Sequence, residues 1–262
     1  MKLGSNQEET IRLLNEQDYV ILCPSRGRAK NILTKALIPD IVLVVNANEK
    51  EEYEKYNPEL IVLSPPEDVK GITPTRSWML SQFHDVFMVD DDVCQVKRNY
   101  VESGEIESIK DPVLIKEIIE YAFYVSRKMG AKMFGFRSTR NPLEYDAFRP
   151  FRFTGYYNHS HVGYLQGHGL KFDNSFGEAE DYYMSLLQAY QNRFGFFDGR
   201  FTFVTKDNFL SQGGCCEYRT INMMKENTIR LKELFGDAVL VKRATATKGR
   251  INEGERSITI PF

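Results

Sequence analysis

Four short apolar runs punctuate the first third of the chain: YVILC at 19–23, IVLVV at 41–45, LIVL at 60–63 and VFMV at 86–89. They are continuous and do not alternate with polar residues, so strands built from them must be covered on both faces. Helices supply that cover, and the intervening segments carry helical patterns at Gly27 to Leu37, Lys50 to Tyr56 and Pro74 to Phe83. Thr73 stands where an N-cap would, with Pro74 at the first helical position. The rhythm predicts an α/β fold with a mostly parallel sheet flanked by helices.

The fourth run ends on Asp90, Asp91 and Asp92. Three carboxylates delivered together at a strand tip repel one another, so something cationic is expected to neutralise them. Hard oxygen ligands suit Mg²⁺ or Mn²⁺, ions that in turn hold substrate phosphates. A solvated acidic turn is the plainer alternative. In open α/β sheets ligands gather beyond the carboxyl ends of the strands. Those ends carry Pro24, Ser25, Arg26 and Gly27, then Asn46 and Asn48, then Ser64 and Pro65, then the aspartates. One arginine, small polar groups and a metal site describe a pocket for a nucleoside diphosphate.

The second half is less regular. Asp111 and Pro112 open a helix marked by Ile115, Ile118, Ile119, Ala122 and Phe123, with Gly130 as its C-cap. KMFGF follows as a strand. From Arg137 to Tyr164, arginines mix with aromatics around Pro142 and Pro150 without a period, which reads as a long functional loop or short hairpins. A helix is expected from Glu178 to Gln191, a strand at RFTFV (200–204), a helix ending at Gly236, and a strand running into the basic AVLVKRATATKGR. We expect an extension at 1–18, a nucleotide-binding half at 19–95 and an acceptor-binding, catalytic half at 96–262.

A net charge of −2 gives no global attraction to polyanions, so any such contact must be local. The four cysteines, Cys23, Cys94, Cys215 and Cys216, lack metal-ligand spacing and make a poor disulfide framework, which favours a reducing compartment. The polar start lacks the apolar core of a signal peptide and no stretch has the length to span a bilayer, so a cytoplasmic protein without membrane contact is expected.

PSRGR after the first strand, VVNAN after the second, GITPTR opening a helix and a hydrophobic strand ending in three aspartates together resemble the GT-A glycosyltransferases. More narrowly the chain resembles the TET-associated glycosyltransferases, phage and microbial enzymes that place sugars on hydroxymethylated pyrimidines in DNA. The wider likeness runs from Tyr19 to Tyr190 and the narrower one rests on the first 95 residues. It implies a GT-A sheet with a mixed acceptor-side half, a nucleotide-diphosphate sugar as donor (a UDP-sugar foremost), Mn²⁺ or Mg²⁺ as cofactor, and the cytoplasm of a bacterial or phage-infected cell.

Carried over by residue, the likeness makes Asp90 and Asp92 the Asp-x-Asp pair, with Asp92 on the metal and Asp90 nearer the ribose or sugar. Pro24, Ser25 and Arg26 border the nucleobase and ribose, and Gly71 and Arg76 approach base and diphosphate. Asn46 and Asp91 belong to the same donor side. In GEAEDYY, Glu180 and Asp181 match an acidic pair whose aspartate is the general base of inverting members. Acidic residues at a helix start are favoured by the macrodipole in any case. Relatives often add a metal-binding histidine near the C-terminus, but here none follows His168. Water, phosphate oxygens or His168 itself would complete the shell, and Lys242, Arg243, Lys248 and Arg250 would close as a basic lid.

Transfer of a sugar needs charge neutralisation at the diphosphate, a positioned hydroxyl and a proton acceptor. Arg137, Arg149 and Arg152, with His168, are the candidate acceptor contacts, their aromatic neighbours suiting base stacking or flipping. A buried aromatic cluster with surface arginines is the plain reading of the same stretch. Among rivals, aspartyl-phosphate phosphatases place their motif on the first strand, and a P-loop NTPase needs the absent GxxxxGK[ST]. A sugar-phosphate nucleotidyltransferase shares the metal logic but wants a glycine-rich, lysine-containing loop that PSRGRAK does not match. A glycan or small-molecule acceptor, and a catalytically silent nucleotide-sugar or DNA-binding module, stay open.

Overall fold

In the computed structural model, residues 6–100, 107–139, 145–206, 220–241, 246–247, 250–251 and 256–259 are described. Helix α1 (Gln7–Leu14) is capped by the Asn6 side chain and leads to β1 (Val20–Pro24). Then come β2 (Val42–Val44), α2 (Lys50–Tyr56), β3 (Ile61–Leu63), α3 (Ile72–Gln82) and β4 (Val86–Val89). After them follow β5 (Val93–Arg98), β6 (Glu107–Ile109), α4 (Pro112–Met129), β7 (Met133–Arg137), β8 (Phe151–Arg152) and β9 (His161–Tyr164). The chain continues through α5 (Glu180–Asn192), β10 (Phe196–Thr205), α6 (Ile221–Phe235) and β11 (Val239–Val241), with short pairings β12 (Ala246–Thr247), β13 (Arg250–Ile251) and β14 (Arg256–Ile258).

The large sheet runs β3-β2-β1-β4-β9-β7-β10-β5-β6, with β8 on β10. The four apolar runs form its parallel half in the order 3-2-1-4. Beyond β4 the sheet is mixed. Strand β9 enters antiparallel between β4 and β7, β7 and β10 are parallel, and β10 pairs antiparallel with β5. This is the expected α/β architecture, a parallel half continued by a mixed one. Along β4, Phe87 and Val89 enter one core layer with Phe123 and Phe134, while Val86 and Met88 enter another with Leu22, Met79 and Met184. Both faces are covered, as unbroken apolar runs require.

Gly163 on β9 is register neighbour to both Phe87 and Phe134. The two rings stack with centroids 5.9 Å apart and planes 6° from parallel. A Cβ at Gly163 would lie 2.0 Å from the Phe134 ring, so the missing side chain makes room for the ring.

Several expected elements differ. The segment 27–37 is a loop with a single turn at Thr34–Ala36, because its backbone is used elsewhere: Leu33 N donates to the Asp91 carbonyl at 2.8 Å and Gly27 takes φ +67°. Helix α3 begins at Ile72 with Gly71, at φ +97°, as its cap. The Thr73 hydroxyl instead donates to the Phe176 carbonyl at 2.7 Å. Strand β10 is longer than RFTFV, and the Arg137–Tyr164 stretch contains β8 and β9. Helix α4 forms as expected, with the Asp111 carboxylate accepting from Val113 N and Gly130 in the left-handed conformation. Among the described residues no helix is long and apolar enough to cross a membrane.

Candidate active site

Strand β4 drops Asp90, Asp91 and Asp92 at the carboxyl rim of the parallel half, and the three diverge at once. Asp91 turns inward, only 5% exposed. Its carboxylate accepts from the Ser25 hydroxyl and, at 2.9 Å, from Arg28 Nη1. Burial pushes its pKa up, and those two donors oppose the shift. The Asp90 carboxylate keeps 32% of its surface open and pairs with Arg76 Nη2 at 2.7 Å. Asp92 lies 3.6 Å from Arg28 Nη1. The repulsion that calls for a cation is therefore met by two arginines of the chain itself, and the case for a metal rests on donor chemistry.

That chemistry fits a hard divalent ion. Asp91 is buried on Ser25 and Arg28, so Asp90, paired with Arg76, and Asp92, beside Arg28, are the carboxylates that would hold such an ion, with diphosphate oxygens and water in the other positions. Among the described residues, no three His, Cys, Asp or Glu side chains are grouped as metal ligands.

Thr34 locks the backbone here, its hydroxyl donating to the Asp90 carbonyl at 2.5 Å and accepting from Val93 N at 3.0 Å. Tyr53 hydrogen-bonds Ser25 Oγ at 2.7 Å while accepting from Arg28 N at 3.0 Å, so Ser25 ties α2 to Asp91 and spends its one proton inward. Pro24 is buried inside β1, Arg26 is exposed on the rim, and Asn46 sits half-buried after β2. Gly71 presents its carbonyl to Thr75 N at 3.1 Å. Arg28, Thr34 and Tyr53 were missed in the sequence. Arg28 lies two positions beyond Arg26 in PSRGR, and only the loop conformation decides which one reaches the carboxylates.

Arg76 joins the two halves of the rim. It is 4% exposed. Nη2 meets Asp90, while Nη1 meets Glu180 Oε1 at 2.6 Å and the His159 carbonyl accepts from Nη2 at 3.2 Å. Glu180, itself 4% exposed, opens α5. The next residue, Asp181, accepts from the Tyr156 hydroxyl on Oδ2 and from Tyr182 N at 2.8 Å on Oδ1. Behind them Glu178 is buried and accepts from Asn227 of α6 at 3.2 Å.

His159 and His161 are buried, neutral imidazoles. His161 bonds Ser160 Oγ at 2.8 Å and the Phe136 carbonyl at 3.1 Å, and burial pulls its pKa down to about 4. Burial also lowers His159, with Arg76 adding to the effect.

The remaining expected site residues fall on different sides of the sheet. His168 is a correction: β9 runs antiparallel to β4 with Tyr164 opposite Val86, so His168 emerges at the opposite rim beside Lys132 and Asp85. There its Nδ1 accepts from Leu170 N at 2.9 Å, and it can neither complete the shell at Asp92 nor touch an acceptor beside Asp181. Arg137 ends β7 on the aspartate side, buried, with its guanidinium 6.0 Å from the Tyr145 ring. Arg149 and Arg152 are exposed, Arg152 lying 4.1 Å over Phe197. Lys242, Arg243 and Lys248 lie outside the described residues, as does the Arg250 side chain.

A model of the family described as TET-Associated Glycosyltransferase matches residues 19–214. No curated protein sequence matches the chain. Among solved structures, S. aureus TarS 1-349 in complex with UDP-GlcNAc is similar at 11% identity and TM-score 0.49, over 82% of this chain and 67% of that one. The chain thus spans about two thirds of that fragment's length. A197 from STIV shares 12% identity at TM-score 0.37, over 71% and 83% of the two chains. A cytidylyltransferase from Leptospira borgpetersenii shares 9% at TM-score 0.39, over 86% and 100%.

Proposed function

The chain belongs to the TET-associated glycosyltransferase family, and from that premise we propose that it moves a sugar from a UDP-sugar to the hydroxyl of a hydroxymethylated pyrimidine in DNA, with a divalent metal. The observation that carries this reading is the shared guanidinium of Arg76. It brings the half-buried carboxylate of Asp90 and the acidic start of α5 onto one rim, 2.7 Å from one and 2.6 Å from the other.

Donor binding falls to the parallel half. Asp90 and Asp92 would hold Mn²⁺ or Mg²⁺, which when bound supplies positive charge against the departing diphosphate. Arg26 and Asn46 border the nucleoside, while Ser25, Arg28, Thr34 and Tyr53 hold the aspartate turn rigid. Asp181 is the proton acceptor. Its Oδ1 accepts from Tyr182 N at 2.8 Å, which fixes the carboxylate at the start of α5 where the substrate hydroxyl would be presented. The acceptor O–H gives its proton to Asp181 as its oxygen bonds the anomeric carbon. The bond from that carbon to the diphosphate breaks with its electron pair leaving on UDP. Attack from the face opposite the leaving group inverts the centre.

The DNA acceptor is supported by the segment leading into Tyr156. It exposes Phe148 almost completely, at 98%, together with Arg149, Arg152 and Phe153. Guanidinium groups interleaved with rings suit phosphate contact and base stacking. A panel of UDP-hexoses over duplexes bearing hydroxymethylated cytosine or uracil, with Mn²⁺, tests the proposal by UDP release. Asp92→Ala is expected to lose at least a hundredfold in turnover, and undiminished release would sink the metal assignment. Arg149→Ala with Arg152→Ala should weaken duplex binding and flatten its salt dependence. Absence of duplex affinity at low salt would remove the DNA acceptor while leaving the donor half intact.

A further inference from the structure

We propose that Tyr156 is a positioning residue for the base: its hydroxyl holds the Asp181 carboxylate in place and favours its ionised form. The inference rests on the reading of Asp181 as proton acceptor. Tyr156 precedes β9 and its hydroxyl donates to Asp181 Oδ2. A half-buried phenol still places its proton on an acceptor, and a carboxylate is a strong one within reach. Burial first, then the nearby Asp181, drives the phenol pKa well up, so the group remains a donor across the working range.

The surrounding geometry is built to hold this contact. The Tyr156 ring packs against Tyr182 with centroids 4.7 Å apart. The next amide, Tyr157 N, donates to Ser185 Oγ at 2.9 Å, and Ser185 Oγ donates in turn to the Asp181 carbonyl at 2.7 Å. Backbone and side chain of the 156–157 segment are thus fastened to the first turn of α5 at two points, one of them the carboxylate itself. Had the tie served packing alone, the Ser185 bridge would suffice.

Other charged or titratable groups face Asp181 too. Glu180 and Tyr182 lie on its own helix, Tyr164 on β9, and Arg76 on α3 is engaged with Glu180. Glu180 opposes ionisation of its neighbour, and Arg76 offsets Glu180. Tyr156 donates to Oδ2, and a hydrogen bond to the charged form of an acid favours that form.

The test is a ¹³C NMR titration of aspartate carboxyls in the full chain, with the Asp181 resonance identified by its loss in Asp181→Asn. Tyr156→Phe should raise the Asp181 midpoint by about one unit, a tenfold change. The acidic limb of turnover should move with it. An unshifted midpoint would overturn the proposal. Should Tyr156→Phe not fold, 3-fluorotyrosine at 156, a stronger donor, should lower the midpoint, and no movement there would overturn it equally. Full UDP release by Asp181→Asn would instead defeat the assignment of the base. Loss of release in Asp181→Asn, beside an unmoved titration in Tyr156→Phe, leaves the base standing and removes Tyr156.

Discussion

At the scale of single residues, Arg76 has the largest consequences. Removing one partner of a buried ion pair strands the other charge, at a cost of about 3–5 kcal/mol. Arg76→Ala leaves Glu180 buried at 4% exposure without that cation, so thermal unfolding should show a drop of about 6–20 degrees by the usual scaling. Arg76→Lys keeps a charge but not a fork, and one ammonium cannot face two carboxylates in the same geometry. It should recover part of the stability and little of the turnover. Asp90 and Glu180 stand out in the sequence as a strand-end and a helix-start carboxylate, each with a plain explanation of its own, and only the fold shows that Arg76 brings the two together. Arg28 escaped because PSRGR offers two arginines and only the left-handed turn at Gly27, φ +67°, decides which reaches inward. Tyr156 lay in an aromatic stretch with no period, where no spacing marks one ring from the next.

Among the elements, α4 was readable end to end because each signal in it is local. Asp111 caps it, Pro112 starts it, Gly130 stops it, and its buried stripe keeps the helical period. Asp111→Ala should therefore cost about 1 kcal/mol, seen as a lower urea midpoint with an unchanged slope. Strand β9 was not readable. HVGY is short, its glycine argues against a strand, and its place between β4 and β7 is set by contacts distant in sequence. The glycine that weakens the pattern is what the sheet needs. Gly163→Ala, whose Cβ would meet Phe134 at 2.0 Å, should destabilise by about 1–3 kcal/mol, as overpacking does. The expected helix at 27–37 failed for the converse reason: its periodicity is real, but the loop's amides are taken up by the Asp91 carbonyl.

On the scale of the whole molecule, stability should depend on pH through the buried histidines. His161, held at about 4 against 6.5 for an ordinary imidazole, takes up its proton more readily in the unfolded chain. Its stabilising contribution is complete above about pH 6.5 and is lost as pH falls towards 4, by about 3 kcal/mol at most. Asp91, raised by burial, acts with the opposite sign and offsets part of that loss in acid. Urea midpoints measured from pH 7 to 5 should fall, and should fall less steeply in His161→Asn, whereas identical slopes would refute the assignment. One further property belongs to the assembled rim. Because a single guanidinium leans on carboxylates from two separate strata of the fold, anything that draws Asp90 away changes its grip on Glu180. On the proposed assignment, occupancy of either side should alter the free energy of filling the other by an equal amount, and affinities determined one at a time should fail to predict the ternary complex.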